Sequence, residues 1–343
     1  MNGSAKRITL AQVAQRAGVS VPTASKVLSG RTDVADRTRL RVQKAVQDLG
    51  YRSPHERRPG GDGPALVDLV IAGLESEYAV EVMRGIIDGA TAEQVEIVIS
   101  SMTPDMSDAN VEEWAGRLRQ GGRRRLVLVT SDMSTEQLAV FRVNGISVVL
   151  VDPRSKPHDG VPTVCSTDWA GGRAATAHLL ELGHRRVGYI GGAYEVECNR
   201  ARQSGYLAAL VELGVDFDRD LVVTGRFDPA TGADGIRRLL ALPDPPTAVF
   251  CGNDAIATGV VRQADALGID VPADLSVVGF DGTPMVENTI PRLTSVAQPL
   301  RQIGRTALRT VLQLDRGEPI AAQHVELATN LVVRDSTAPP RGR

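Results

Sequence analysis

A small all-α helix-turn-helix head followed by a two-lobed α/β body built on parallel sheets is the fold that this sequence predicts. Three observations point to it. Residues 1–60 carry 12 Lys/Arg against 4 Asp/Glu, a balance of +8, so with a net charge of −2 the remaining 283 residues carry −10. The same basic stretch holds short, glycine-punctuated segments whose apolar residues recur at helical spacing. From Val67 onward, continuous apolar runs alternate with amphipathic segments, the pattern of parallel strands covered on both faces by helices. At 343 residues the chain is too long for one compact core. Its 42% hydrophobic and 23% charged content is that of an ordinary globular protein.

In the head, Thr9 is a fair N-cap with Gln12 at the capping-box position, and Leu10, Val13, Ala14 and Ala17 form one helical face. Gly18 supplies the left-handed turn that stops this helix. Ser20 caps a second helix to about Leu28, with Pro22 in the first turn, where its missing N–H costs little. Gly30 and Asp33 mark a loop, and a third helix runs to Leu49 with Val42, Ala45, Val46 and Leu49 inward. Two short helices joined by a glycine turn and braced by a third make a helix-turn-helix, whose second helix enters the major groove. A bundle for protein contacts is the alternative, which the +8 balance disfavours.

In the body, the strand candidates are Val67–Ala72, Ile97–Ser100, Leu126–Thr130, Val148–Val151, Val187–Ile190, Ala248–Cys251 and Ser276–Phe280. The helix candidates include Val80–Ala90, Thr176–Leu182, Gly205–Leu213 and Ala255–Leu267. About 270 residues of this alternation fit two similar lobes with a cleft between them, and ligands of such sheets bind at the carboxyl ends of strands. No apolar run is long enough to span a bilayer. The polar, basic Met1–Leu10 segment has no apolar stretch for secretion, so a cytoplasmic protein is expected. Cys165, Cys198 and Cys251 have no metal-ligand spacing, nor have the histidines, and no cofactor is expected. No G-x-G-x-x-G, Walker sequence or nucleophilic triad is visible, which makes an enzyme the weaker class.

The stretch Thr9–Ser29, with its "AGVS…T.S.VL" pattern, resembles the headpiece of the lactose-repressor (LacI/GalR) family, and Arg37-Thr38 and Leu49-Gly-Tyr51 fall where that family has them. The resemblance continues through His178–His184, Val187–Gly192, Cys251-Gly-Asn-Asp254, Asp274–Asp281 and Leu293–Pro299. It implies a body like the periplasmic sugar-binding proteins, with the chain crossing between lobes near Ser166, Thr294–Gln298 and Gln323. The expected division is a headpiece at 1–52, a linker at 53–65, a body at 66–335 and a tail at 336–343. Lobe one is then 66–165 with 299–322, and lobe two 166–293 with 324–335. The implied function is a homodimeric transcriptional repressor on an inverted-repeat, double-stranded operator, controlled by a small molecule that closes the cleft. A free periplasmic-type sugar-binding protein is the rival, but it would carry a signal peptide and no basic helical head.

The DNA-contacting set is Thr9, Leu10, Ser20, Val21, Pro22, Thr23, Ser25, Lys26, Arg31, Arg52, Arg57 and Arg58. Within it, Lys26 suits guanine, Val21 and Pro22 a thymine methyl, and Thr23 and Ser25 phosphate and packing roles. For the effector, Asp152, Asn253 and Asp281 follow buried strands and match positions that the family uses, although strand-end Asp and Asn also serve as helix caps. Arg202 matches the family's hydroxyl-binding arginine, Gln298 lies on a crossing, and Tyr78 and Trp169 are candidate stacking surfaces at the two lobes' pocket edges. A sugar of xylose or cellobiose type is expected, with a purine or phosphorylated ligand left open.

One departure stands out. The family usually carries a hinge helix whose leucine wedges into the minor groove. Here the wedge position falls at Gly60, beside Pro59 and Gly61, and no Leu, Ile or Met occurs from 52 to 65. A non-helical linker, modest operator bending and a steep salt dependence are expected.

Overall fold

The computed structural model describes residues 9–28, 35–49, 65–71, 73, 76–101, 107–155 and 160–341. The chain divides into two units, one ending at Ala65 and the other starting at Leu66.

Among the described residues, the first unit holds three helices: α1 (Leu10–Ala17), α2 (Val21–Leu28) and α3 (Asp36–Leu49). Thr9 and Gln12 close a reciprocal capping box on α1. Gly18 follows at φ 62°, ψ 44°, a left-handed conformation that a side chain would resist. Ser20 Oγ accepts from Thr23 N at 3.3 Å and so caps α2. Val13, Ala14, Ala17, Ala24, Val27, Val42 and Ala45 form the core. Arg41 of α3 clamps the turn from outside, its guanidinium donating to Ala17 O at 3.0 Å and to Gly18 O at 2.8 Å.

The second unit contains two six-stranded sheets. The first lobe starts with β1 (Ala65–Ile71), α4 (Glu77–Glu93), β2 (Val95–Ser101), α5 (Asp108–Gln120), β3 (Arg125–Val129), α6 (Thr135–Val143), β4 (Ser147–Val151) and β5 (Thr163–Ser166). The second lobe follows with α7 (Asp168–Glu181), β6 (Val187–Gly191), α8 (Glu197–Glu212), β7 (Val222–Thr224), α9 (Pro229–Leu240), β8 (Ala248–Cys251), α10 (Asp254–Ala266), β9 (Ser276–Asp281) and β10 (Thr294–Ala297). The chain then returns to lobe one for α11 (Leu300–Arg316) and β11 (His324–Leu327), and ends in lobe two with β12 (Asn330–Val332). The sheet orders are β11-β5-β4-β3-β1-β2 and β12-β10-β9-β8-β6-β7. Every described pairing is parallel except β10 with β12. Each sheet is buried on both faces: α4 and α11 cover one face of the first sheet and α5 and α6 the other, while α9 and α10, then α7 and α8, cover the second.

Two expectations about lobe boundaries are corrected. The third crossing is not at Gln323: β11 pairs with β5 from His324↔Thr163 to Leu327↔Ser166, so 324–327 belong to lobe one and the crossing falls at Ala328–Thr329. The parallel ladder along β5 overrides the sequence signal, because β11 is a half-exposed edge strand with no apolar run. Nor is the chain after Asp335 a tail. Ser336 is fully buried and bonds Thr294 N at 2.9 Å and Val277 O at 2.6 Å. His178 and His184 bond Thr337 Oγ1 and Ala338 O at 3.0 and 2.9 Å. Residues 336–341 are thus strapped across lobe two.

Candidate functional site

The strand ends of both sheets converge on the junction between the lobes of the second unit. Three non-glycine residues there hold left-handed backbone: Thr130 after β3 (φ 52°), Asp152 after β4 (φ 42°) and Asp281 ending β9 (φ 103°). Such conformations cost about 1–3 kcal/mol each and gather where side chains must be aimed rather than merely packed. Among the described residues, hydrogen bonds reach across the lobes where Glu197 N donates to Arg154 O at 2.9 Å and Met285 N donates to Glu77 Oε2 at 3.0 Å.

Arg202 is the centre of this junction. It is 4% exposed on α8, and its Nε donates to Asp168 Oδ1 at 2.8 Å. Its Nη1 donates to Gly252 O at 2.6 Å and lies 3.4 Å from Asp281 Oδ1. The guanidinium carbon sits 3.8 Å from the centre of the Phe280 ring, a cation–π contact. Close helix packing delivers it there. A Cβ on Gly205 would meet Trp169 O at 2.2 Å, and one on Gly172 would meet Arg202 O at 2.2 Å, so α7 and α8 touch backbone to backbone. Burial works against the charge on Arg202, but the neighbouring carboxylates, Asp168 first, outweigh it and hold the group protonated.

The carboxylates feel the opposite balance. Burial foremost, then Asp254 and Asp168 against the pull of Arg202, raises Asp281 from its ordinary 3.8 to about 8. Gln298 Nε2 donates to Asp281 Oδ1 at 2.7 Å. Burial, then Asp168, raises Asp152 to about 6, against a hydrogen bond from the Tyr78 hydroxyl. Burial likewise raises Asp254 to about 6, although Ser295 Oγ and Thr283 N donate to it at 2.6 and 2.8 Å.

A cavity of about 260 Å³ opens beside this network, walled by both lobes. Asp152 and Cys165 come from lobe one, Asp168, Trp169 and Glu197 from lobe two, and Glu326 from β11. Of the expected effector residues, Asp152 and Trp169 line the cavity, and the Trp169 indole is 47% exposed. Arg202, Asp281 and Gln298 form the buried network next to it. Tyr78 does not line the cavity, so the expected aromatic at each edge reduces to Trp169; the tyrosine hydroxyl is held by Asp152 instead. Asn253 takes the helix-cap role, its Oδ1 accepting from Ile256 N at 2.9 Å at the start of α10. Asp168 and Phe280 were not anticipated. Asp168 carries a faint signal, a polar residue two past a buried strand, but it reads equally as a helix start. Among the described residues, Ser131 Oγ, Asn199 Nδ2 and Gln298 Oε1 are buried without a hydrogen-bond partner.

In the head, α2 presents Val21, Pro22, Ser25 and Lys26 to solvent, while Ala24 and Val27 face the core. Thr23 is half-buried against Ser20, Thr9 is exposed in its capping box, and the Leu10 side chain packs against the core. Arg31, Arg52, Arg57, Arg58 and linker residues 53–64 lie outside the described residues. Arg41, the clamp on the turn, was not anticipated.

Comparison with known proteins agrees with both units. Residues 9–53 match the model of bacterial regulatory proteins, lacI family, and residues 176–337 match a periplasmic binding protein-like domain. The chain is 30% identical over 335 residues to the HTH-type transcriptional repressor PurR of Erwinia tasmaniensis, covering 96% of this chain and 97% of the relative. It is 30% identical to the HTH-type transcriptional regulator DegA of Bacillus subtilis, with 97% and 99% covered. Among solved structures, the transcriptional regulator CelR–cellobiose complex aligns at a TM-score of 0.71 and 29% identity, over 96% of this chain and 100% of that one. Among the described residues no helix is long and apolar enough to cross a membrane. A helix-turn-helix head and a two-lobed body, matched together along nearly the whole length of such repressors, place this chain in the lacI family of bacterial regulatory proteins.

Proposed function

We propose that the chain is a homodimeric, operator-binding repressor of sugar-utilisation genes, in which an uncharged, polyhydroxylated ligand in the cleft sets the affinity for DNA. The observation that carries this reading is the cavity walled by both lobes at the strand ends, with the half-exposed Trp169 on its rim. An indole face suits the C–H side of a sugar ring, and strand-end polar groups suit its hydroxyls. Among the described residues, four carboxylates (Asp152, Asp168, Glu197 and Glu326) line the cavity and neither Lys nor Arg does, which disfavours a phosphorylated effector. A relative solved with cellobiose supports a saccharide. Because the ligand touches both lobes, it favours whichever arrangement of them it fits better, and operator affinity shifts by that difference.

The test is operator binding by the full chain across neutral sugars, sugar phosphates and nucleobases, repeated with Trp169→Ala and Arg202→Ala. A neutral sugar should change operator affinity by roughly 5–150-fold in the wild type and much less in either variant, both of which still bind DNA without sugar. A response to phosphorylated sugars alone, or an undiminished response in both variants, would show that the cleft is not this receptor.

A further inference from the structure

A second cavity, of about 370 Å³, opens at the amino-terminal ends of β3, β4 and β5, the opposite end of the first sheet from the cleft. We propose that it binds a small organic anion, a phosphorylated or carboxylate metabolite.

The charge arrangement carries the proposal. The run Arg123-Arg124-Arg125 enters β3, and its outer members are neutralised: Arg123 pairs with Asp68, and Arg125 pairs with Asp315 at 2.6 Å. The middle member, Arg124, lines the cavity instead and has no ion pair among the described residues. Arg142 lines the facing wall from the last turn of α6, where a cation is also favoured by the helix carboxyl end. It too has no ion pair among the described residues. Its Nη1 lies 3.7 Å from where a Cβ on Gly160, another residue of the lining, would stand. Asp315 is the one acidic residue of the lining among the described residues, and it is already committed to Arg125. Two arginines with no ion pair among the described residues therefore line the same space, and a guanidinium binds phosphate and carboxylate groups in bidentate fashion. The Ser147 hydroxyl adds a neutral polar group, and Leu138 and Leu314 supply an apolar surface for the carbon skeleton. The volume falls in the range of small-molecule sites. The cleft cavity is walled by carboxylates and this one by arginines, so the two select ligands of different charge. Arg125, which holds Asp315 of the lining, also donates to Leu66 O at 3.3 Å.

Calorimetric titration of the full chain with ribose 5-phosphate, citrate and inorganic phosphate, and with ribose as the uncharged control, tests the site. Saturable binding of at least one organic anion is expected, weakened about tenfold or more by each of Arg124→Ala and Arg142→Ala and unchanged by Trp169→Ala. Both arginines are exposed, so their variants should keep the wild-type unfolding midpoint. Three results would overturn the site: no saturable binding of these anions below about 10 mM, affinities indifferent to both arginine variants, or loss in Trp169→Ala, which would return the anion to the cleft. A cleft that fails to answer to sugars leaves this test unaffected.

Discussion

Replacing Asp281 by Asn should flatten the pH dependence of stability. The Asp281 carboxyl is buried, and its pKa stands at about 8 against an ordinary 3.8. An unfolded chain loses this proton near pH 4, whereas the folded chain keeps it until about pH 8. Between those limits the folded state binds one more proton, so stability contributed by this group is complete below pH 4 and is lost as pH rises toward 8. Each pH unit is worth about 1.4 kcal/mol, so the interval sums to roughly 6 kcal/mol. That is an upper bound, because Arg202, Asp168 and Asp254 titrate in the same network. Asn has the same shape, is always neutral and still accepts from Gln298 Nε2. Thermal unfolding of the full chain at pH 5, 6, 7 and 8 should therefore show Asp281→Asn gaining on the wild type as pH rises. A gap that stays constant, or that widens toward low pH, would refute the burial of a protonated carboxyl here.

Two further predictions concern other parts of the molecule. Gly205→Ala puts a methyl 2.2 Å from Trp169 O, so α7 and α8 must separate; a loss of about 1–3 kcal/mol and a midpoint lower by about 3–10 °C are expected, and an unchanged midpoint would mean that the helices are not in backbone contact. Lys26→Ala, on the exposed face of α2, should cost about 1–3 kcal/mol on the preferred operator and relax one base position; an equal loss on every sequence in an operator library would make Lys26 a phosphate contact.

Central strands were legible because each is buried on both faces and so reads as an apolar run; Leu126–Val129 and Ala248–Cys251 are examples with every residue buried. The edges were not. His324–Leu327 alternates exposed and half-buried residues, and only pairing with β5 assigns it to lobe one. Ser336 is polar and close to a Pro-Pro pair, so its complete burial has no signal short of its partners Thr294 and Val277. Within the site, residues at the ends of legible strands could be named as candidates, and Asp152 and Asp281 do meet at the junction of the lobes. Asn253 shows the ambiguity of that signal, since a strand end is also a helix start. Asp168 pairs with Arg202 across 34 residues of sequence, a relation set by the contact of α7 and α8 alone. Arg41 reaches a turn 23 residues before it, and helix periodicity carries no trace of that reach.

The threading of the chain between lobes also orders events during synthesis. Chains emerge amino end first and domains fold as units when their residues are available. The first lobe's core needs Leu300, Ile303, Leu308 and Val311 of α11, and its sheet is completed only by β11. The second lobe needs β12 and Ser336. Neither lobe is therefore complete until these late segments have been made. The head needs nothing beyond α3 for its core and can fold while most of the body is untranslated. The helix-turn-helix head can thus be complete before either lobe of the body is.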